Sequence, residues 1–249
     1  MNLATAHGTD STWPEALASL LATIIIAVFV VSFIVQAFQI PSESMENTLL
    51  IGDYLLVDKV HFSRDRFWEK VLPYKRVQRG DIIVFHYPVH PAEHFVKRVI
   101  GLPGDHIRLI NRRVYVNSVL VSEPYVHYFR PHDPFRDEFP RLDVSFVPSL
   151  SGKWLLEMKK LVADNQLVVP EGNYFVMGDN RDDSLDSRYW GFVPTENIVG
   201  RPLVIYWSMR NPDPENGPLK PGDRLERFLY TMSHIIEITR WERTLRLVH

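Results

Sequence analysis

The sequence predicts a mainly β protein: a single N-terminal transmembrane helix, then a β-rich domain with a smaller β domain inserted, and a helical C-terminal tail. Three observations predict it. Ala16 to Phe38 is a 23-residue run without one charged side chain. Beyond it, short apolar segments alternate with Gly, Pro, Asn and Asp turn signals, the pattern of many short strands. Near the C-terminus, Leu225, Phe228, Leu229, Met232, Ile235 and Ile236 recur at helical spacing.

The apolar run as a helix reaches about 34 Å, enough for a hydrocarbon core of about 30 Å. It is too long for the core of a cleavable leader, and Met1 to Glu15 has no Lys or Arg. An anchor is the expectation, although Val35-Gln36-Ala37 has small residues at cleavage-like spacing, which leaves removal open. The first basic residue after the run is Lys59, so charge does not orient the segment. About 200 residues remain for soluble structure, one large β domain or two small ones. The net charge of −2 lacks a basic stripe and argues against nucleic acid as a partner. With no cysteine there is no disulfide, thiolate nucleophile or Cys-bound metal.

Strands are expected at Tyr54–Val57, Asp81–Phe85, Phe95–Ile100, Ile107–Ile110, Val114–Val116, Tyr174–Met177 and Arg201–Trp207. Pro103-Gly104 suits the central positions of a type II turn, and Asn111 and Asn117-Ser118 suit hairpin turns. Glu123 to Val169 holds Pro124, Pro131, Pro134, Pro140 and Pro148, with a short helical candidate near Trp154–Val162, and reads as an insertion. A Pro-rich linker, Asn211 to Pro221, precedes the tail. Its arginines, among them Arg240, Arg243 and Arg246, suit a basic amphipathic helix on an anionic membrane or a helix packed on the β domain.

Three stretches are candidates for chemistry. Pro41-Ser42-Glu43-Ser44-Met45 leaves the apolar run with two hydroxyls, which equally suit a cap or a turn. Lys97 lies on a strand where period 2 lets it share a face with Phe95. On an apolar face desolvation lowers its pKa, and reaching a value near 7 takes about 4–5 kcal/mol. A neutral Lys beside a serine hydroxyl is a competent general base. Gly178 to Phe192 is dense in turn formers and charges, which also describes a solvated loop.

Five blocks in this order resemble the bacterial type I signal peptidases, membrane-bound serine proteases. They are Phe38 to Met45, Gly52 to Lys59, Arg79 to Phe85, Lys97 to Asp105, and Gly178 to Pro194. With the apolar run they cover about half the chain. The resemblance implies Ser44 as nucleophile and Lys97 as its base, with no cofactor. It implies an oxyanion hole from the Ser44 N–H and the Ser42 hydroxyl, and Ser184 orienting the Lys97 amine. Asp179 with Arg98 and Asp186 with Arg188 become supporting ion pairs. Ile40, Met45, Leu49, Phe95 and Val96 match positions lining pockets for small side chains, as in Ala-x-Ala sites. The implied substrates are signal peptides of exported preproteins. The implied location is the bacterial inner membrane, single-pass, with the catalytic domain on the periplasmic or extracellular side. The resemblance divides the chain into an N-terminal tail (1–15), an anchor (16–38), a catalytic domain (39–110 and 171–210), an insert (111–170) and the linker and tail (211–249). Asn47 departs from the pattern, since many members have Pro there.

Rival readings weigh less. His86, His90 and His94 recur every four residues beside Glu93, but Pro88 and Pro91 break any helix that would align them on a metal. A membrane-anchored binding factor that has lost activity would not need Ser42, Ser44, Lys97 and Ser184 together. The sequence leaves oligomeric state open, and likewise whether the peptidase is general or specialised.

Overall fold

The computed structural model describes residues 13–29, 34–62, 75–143, 147, 149–210 and 233–248. Helix α1 (Trp13–Phe29) is apolar and buries none of its side chains. Its 17 residues reach about 26 Å. Among the described residues no helix is long and apolar enough to cross a membrane. The expected span is corrected at its C-terminal end. Val35 to Phe38 belong to β1 (Val35–Gln39), which pairs antiparallel with β2 (Asp53–Asp58) from Val35↔Asp58 to Gln39↔Tyr54. Val and Phe suit a strand as well as a lipid-facing helix, so apolarity alone misplaced the boundary.

Strands β3 (Ile82–His86) and β4 (His94–Gly101) pair with Ile83 opposite Lys97 and Phe85 opposite Phe95. Just past β4 the Asp105 N–H donates to the Leu102 carbonyl at 3.0 Å, and Gly104 sits at φ +84°, the conformation glycine adopts without a Cβ penalty. A smaller sheet follows: β5 (His106–Ile110), β6 (Arg113–Val116), β7 (Val119–Leu120), β8 (Val162–Ala163) and β9 (Gln166–Val168), in the order β7-β6-β5-β9-β8. Its two-residue turns Asn111-Arg112, Asn117-Ser118 and Asp164-Asn165 all have positive φ, the primed geometry that matches strand twist. β5, expected with the residues of the larger domain, pairs in this smaller sheet.

Between these strands lie α2 (Pro134–Asp137) and α3 (Gly152–Leu161). The Ser151 hydroxyl caps α3 by accepting from the Trp154 N–H, and the helix buries Trp154 and Met158 against Ile107, Leu109 and Phe175. The chain then forms β10 (Asn173–Met177), α4 (Ser187–Trp190), β11 (Val193–Pro194) and β12 (Ile198–Ser208). The larger sheet runs β1-β2-β12-β3-β4-β10-β11. Both faces of β3 are covered: Ile83 and Phe85 pack with Val99, Val176 and Trp190, while Ile82 and Val84 pack with Ile40, Met45, Leu49 and Leu55.

Linker 211–221 and most of the expected tail helix lie outside the described residues. Within them, Ser233 and α5 (Ile235–Ile238) are helical, and β13 (Arg246–Leu247) then adds to β12. The tail helix is therefore corrected over 239–248. Arg240 and Arg243 turn inward to the carboxylate of Asp53, a partner nearly 190 residues away that no local periodicity reveals.

Candidate active site

β1 ends at Gln39, the buried Ile40 follows, and Pro41-Ser42 lead into a single 3-10 turn, Glu43–Met45. The turn is closed by the Glu46 N–H donating to the Glu43 carbonyl at 2.9 Å, and extended by the Leu49 N–H donating to the Met45 carbonyl at 2.7 Å. Ser44 is thereby held with its side chain inward, 8% exposed, while Ser42 stays exposed. Asn47 sits at φ +76°. Asn tolerates this left-handed conformation, whereas proline, locked near −65°, does not. The departure from the family pattern at 47 is the residue type this turn geometry accepts.

The pleat of β4 puts Phe95 and Lys97 on one face, with the Lys97 Nζ 5.4 Å from the Phe95 ring centroid. That amine lies 2.6 Å from Ser44 Oγ. The Ser42 and Ser44 hydroxyls are 3.3 Å apart. Lys97 is 4% exposed. Burial pulls its pKa down to about 8, aided by Arg188 and opposed by the carboxylates of Asp186 and Asp179. Those two anions hold the value above the 7 that the sequence argument reached for.

Residues 178–188 close the site from the other side. Asp179 accepts two hydrogen bonds from Arg98, at 2.8 and 2.7 Å, and Asp186 accepts two from Arg188, both at 2.8 Å. The two expected ion pairs form, all four side chains buried. At Asp186 burial pushes the pKa up, but Arg188 and bonds from Ser184 and the Gly178 N–H outweigh it, leaving the carboxyl below its ordinary value. The expected bond from Ser184 to the Lys97 amine is not among the hydrogen bonds of the described residues. The Ser184 hydroxyl instead accepts from the Gly178 N–H at 3.1 Å and binds the Asp186 carboxylate, two residues along its own loop.

Two residues here went unread in the sequence. The Asn180 N–H donates to the Ser44 carbonyl at 3.2 Å, and its side-chain amide donates to the Glu43 carbonyl at 3.2 Å. Asn180 thus fixes the Ser44 backbone from across the cleft. Gly178 permits the approach, because a Cβ there would lie 2.3 Å from Ser184 Oγ and 2.4 Å from the Ser44 carbonyl. A Gly-Asp-Asn turn signal hid both roles. Gly178→Ala is expected to lower kcat about a hundredfold, since a shift of about 1 Å at a reacting group has that cost. Turnover of purified Gly178→Ala measures it, and near-normal turnover would show that the approach does not position Ser44.

Beside the Ser44–Lys97 contact lies a cleft of about 320 Å³, walled by Phe38, Ile40, Met45, Phe95, Val96 and Leu185, with Asp183 and His94 also lining it. Of the expected pocket residues, Ile40, Met45, Phe95 and Val96 line it. Leu49 does not: it is fully buried in the core beside Leu55 and Val57. Its spacing from Ser44 fits either place, and the turn at Asn47 sends it inward. The His86 and His94 rings lie 4.5 Å apart, but His90 packs against Tyr87, and no group of three or more possible metal ligands occurs among the described residues.

A family model described as signal peptidase, peptidase S26, matches residues 13–207. Signal peptidase I of Pseudomonas aeruginosa is 39% identical over 202 residues, covering 75% of this chain and 70% of that protein. Signal peptidase I of Aquifex aeolicus is 34% identical over 249 residues, covering 88% and 93%. A solved signal peptidase I from Enterococcus faecalis V583 is 34% identical, covers 51% of this chain and 97% of that one, and has a TM-score of 0.39. The matched span contains Ser44, Lys97 and the whole 178–188 loop, and the chain belongs to the signal peptidase family, peptidase S26, and is a serine peptidase.

Proposed function

We propose that this chain is a membrane-anchored endopeptidase that removes signal peptides from exported preproteins, cutting after small residues of the Ala-x-Ala type. In this reading Ser44 attacks the scissile carbonyl and Lys97 takes its proton, later returning it to the leaving amine. The observation that carries the reading is the buried 2.6 Å contact between Lys97 Nζ and Ser44 Oγ, with burial drawing the amine toward neutrality near pH 8. The Ser44 N–H, in the first turn of a 3-10 helix, and the Ser42 hydroxyl stabilise the oxyanion. Asp179 with Arg98 and Asp186 with Arg188 hold the strand and loop that carry the base, and Ser184 orients it indirectly, through Gly178 and Asp186.

The substrate assignment draws on the cleft and on the named relatives. Among the described residues, β1 is the edge strand of the larger sheet, and Phe95 to Lys97 pair only with β3. An extended peptide adds to these free edges as a strand, with its small side chains against Ile40, Met45, Phe95 and Val96. Residues 35–105 and 171–210 form the catalytic domain, 106–170 the insert, and the apolar residues before β1 the anchor, with catalysis on the periplasmic or extracellular face.

Incubating the purified chain in detergent with several unrelated preproteins, with and without a chelator, tests this. The expected product begins directly after an Ala-x-Ala-like site and forms equally with chelator. Intact preproteins, or cuts at unrelated positions, would contradict the reading.

A further inference from the structure

The loop from Ile40 to Asp53 leaves the sheet after β1 and returns at β2, and it carries both Ser42 and Ser44. Its two ends are tied together, with the Ile40 N–H donating to the Asp53 carbonyl at 2.9 Å and the Gly52 N–H to the Ile40 carbonyl at 3.1 Å. Its middle is held from two sides. The Thr48 hydroxyl donates to Asp179, the carboxylate already bound by Arg98 beside Lys97. The Thr48 carbonyl accepts from Arg243 at 2.9 Å, and the Ile51 carbonyl from Arg240 at 2.9 Å. Both arginines converge on the Asp53 carboxylate, which is fully buried and also accepts from the Leu50 N–H at 2.9 Å and the Ser208 hydroxyl at 2.6 Å.

We propose that Arg243, brought in by the C-terminal segment, is a positioning residue for the nucleophile, acting through Thr48 and Asp53 to hold the 40–53 loop against Lys97. The segment is seated for this: Arg243 is buried, Val248 enters the core with Leu49, and β13 pairs with β12. Thr48 is the hinge of the argument. Its own N–H donates to the Met45 carbonyl at 3.1 Å, so a displacement of its carbonyl passes directly to the turn that bears Ser44. Arg243 does not line the cleft, so it acts on the geometry of the reacting pair and not on substrate affinity.

The inference rests on Ser44 being the nucleophile, and its test has a readout independent of activity. In the full-length chain, Arg243→Ala is expected to lower kcat about ten- to a hundredfold with KM within about twofold, and Arg243→Lys, which keeps the charge and one donor, to recover part of the loss. Amide hydrogen exchange at residues 45–52 is expected to speed up in Arg243→Ala, while amides of β3 and β4 stay protected. Unchanged exchange at 45–52, or a raised KM at unchanged kcat, overturns the proposal. Faster exchange with unchanged kcat also overturns it, because the loop would then be held without consequence for Ser44. If Arg243→Ala does not fold, Arg243→Lys alone carries the test: loosened 45–52 amides with lowered kcat support the proposal, and wild-type behaviour in both rejects it.

Discussion

Replacing Lys97 by methionine, or Ser44 by alanine, is expected to lower preprotein cleavage by about 10⁴-fold or more while the protein remains folded. Removing either member of a nucleophile–base pair costs nearly as much as removing both, because neither works alone. Lys97 is buried against Phe95 and bonded to Ser44, and two anions, Asp186 and Asp179, act on it electrostatically. Methionine keeps an unbranched apolar stem in that space and removes the cost of burying an amine, so thermal stability is expected to stay the same or rise. Ser44→Ala leaves its turn intact, since the turn is closed by backbone bonds of Glu43, Met45 and Asn180 that need no hydroxyl. Single-turnover cleavage alongside thermal unfolding separates the two effects. A Lys97→Met enzyme with near-normal turnover would remove Lys97 from the mechanism.

Asp186→Ala is expected to be the most damaging change to the fold among the site residues. Asp186 and Arg188 are fully buried, and the carboxylate accepts two hydrogen bonds from the guanidinium. Among the described residues, removing it leaves the Arg188 charge without a counter-ion, held by the carbonyls of Arg136 and Arg181 and the Tyr189 ring. Breaking a buried pair in this way costs about 3–5 kcal/mol. In a chain of this size that corresponds to a Tm lower by about 6–20 °C. The surviving folded enzyme carries a second signature. Asp186 raises the Lys97 pKa and Arg188 lowers it, so losing the anion moves the Lys97 midpoint down from about 8. The rising limb of the rate–pH profile is then expected to shift to lower pH. An unchanged Tm together with an unmoved profile would show that the pair neither braces the loop nor tunes the base.

Much of the site was legible because its chemistry is written in local residue types. Lys97 and Phe95 alternate on a strand, Pro103-Gly104 marks its end, and the Asp-Asn-Arg-rich stretch after Gly178 announces a charged turn. The resemblance to a known family joined these into one reading. What stayed hidden depends on contacts between distant segments. Nothing near Asn180 points to the Ser44 carbonyl, and nothing near Gly178 says that Ser44 and Ser184 crowd it from two sides. Ser184 bonds within its own loop, a choice set by the position of Asp186. Leu49 turned inward because Asn47 takes a left-handed backbone, which apolar spacing does not encode. The end of the apolar run and the arginine-rich tail failed for one reason: helix-compatible composition is also compatible with an edge strand and with a strap over a buried carboxylate.

The central claim is that a neutral Lys97 amine removes the Ser44 proton, and the pH dependence of kcat/KM tests it most directly. Only the unprotonated amine accepts a proton, and it predominates above its pKa, so activity grows as pH rises through about 8. About a tenth of the enzyme is competent at pH 7 and about nine-tenths at pH 9, a rise of roughly tenfold. A kcat/KM that is flat from pH 7 to 9, or that completes its rise near pH 6.5 as a histidine base would, contradicts the account.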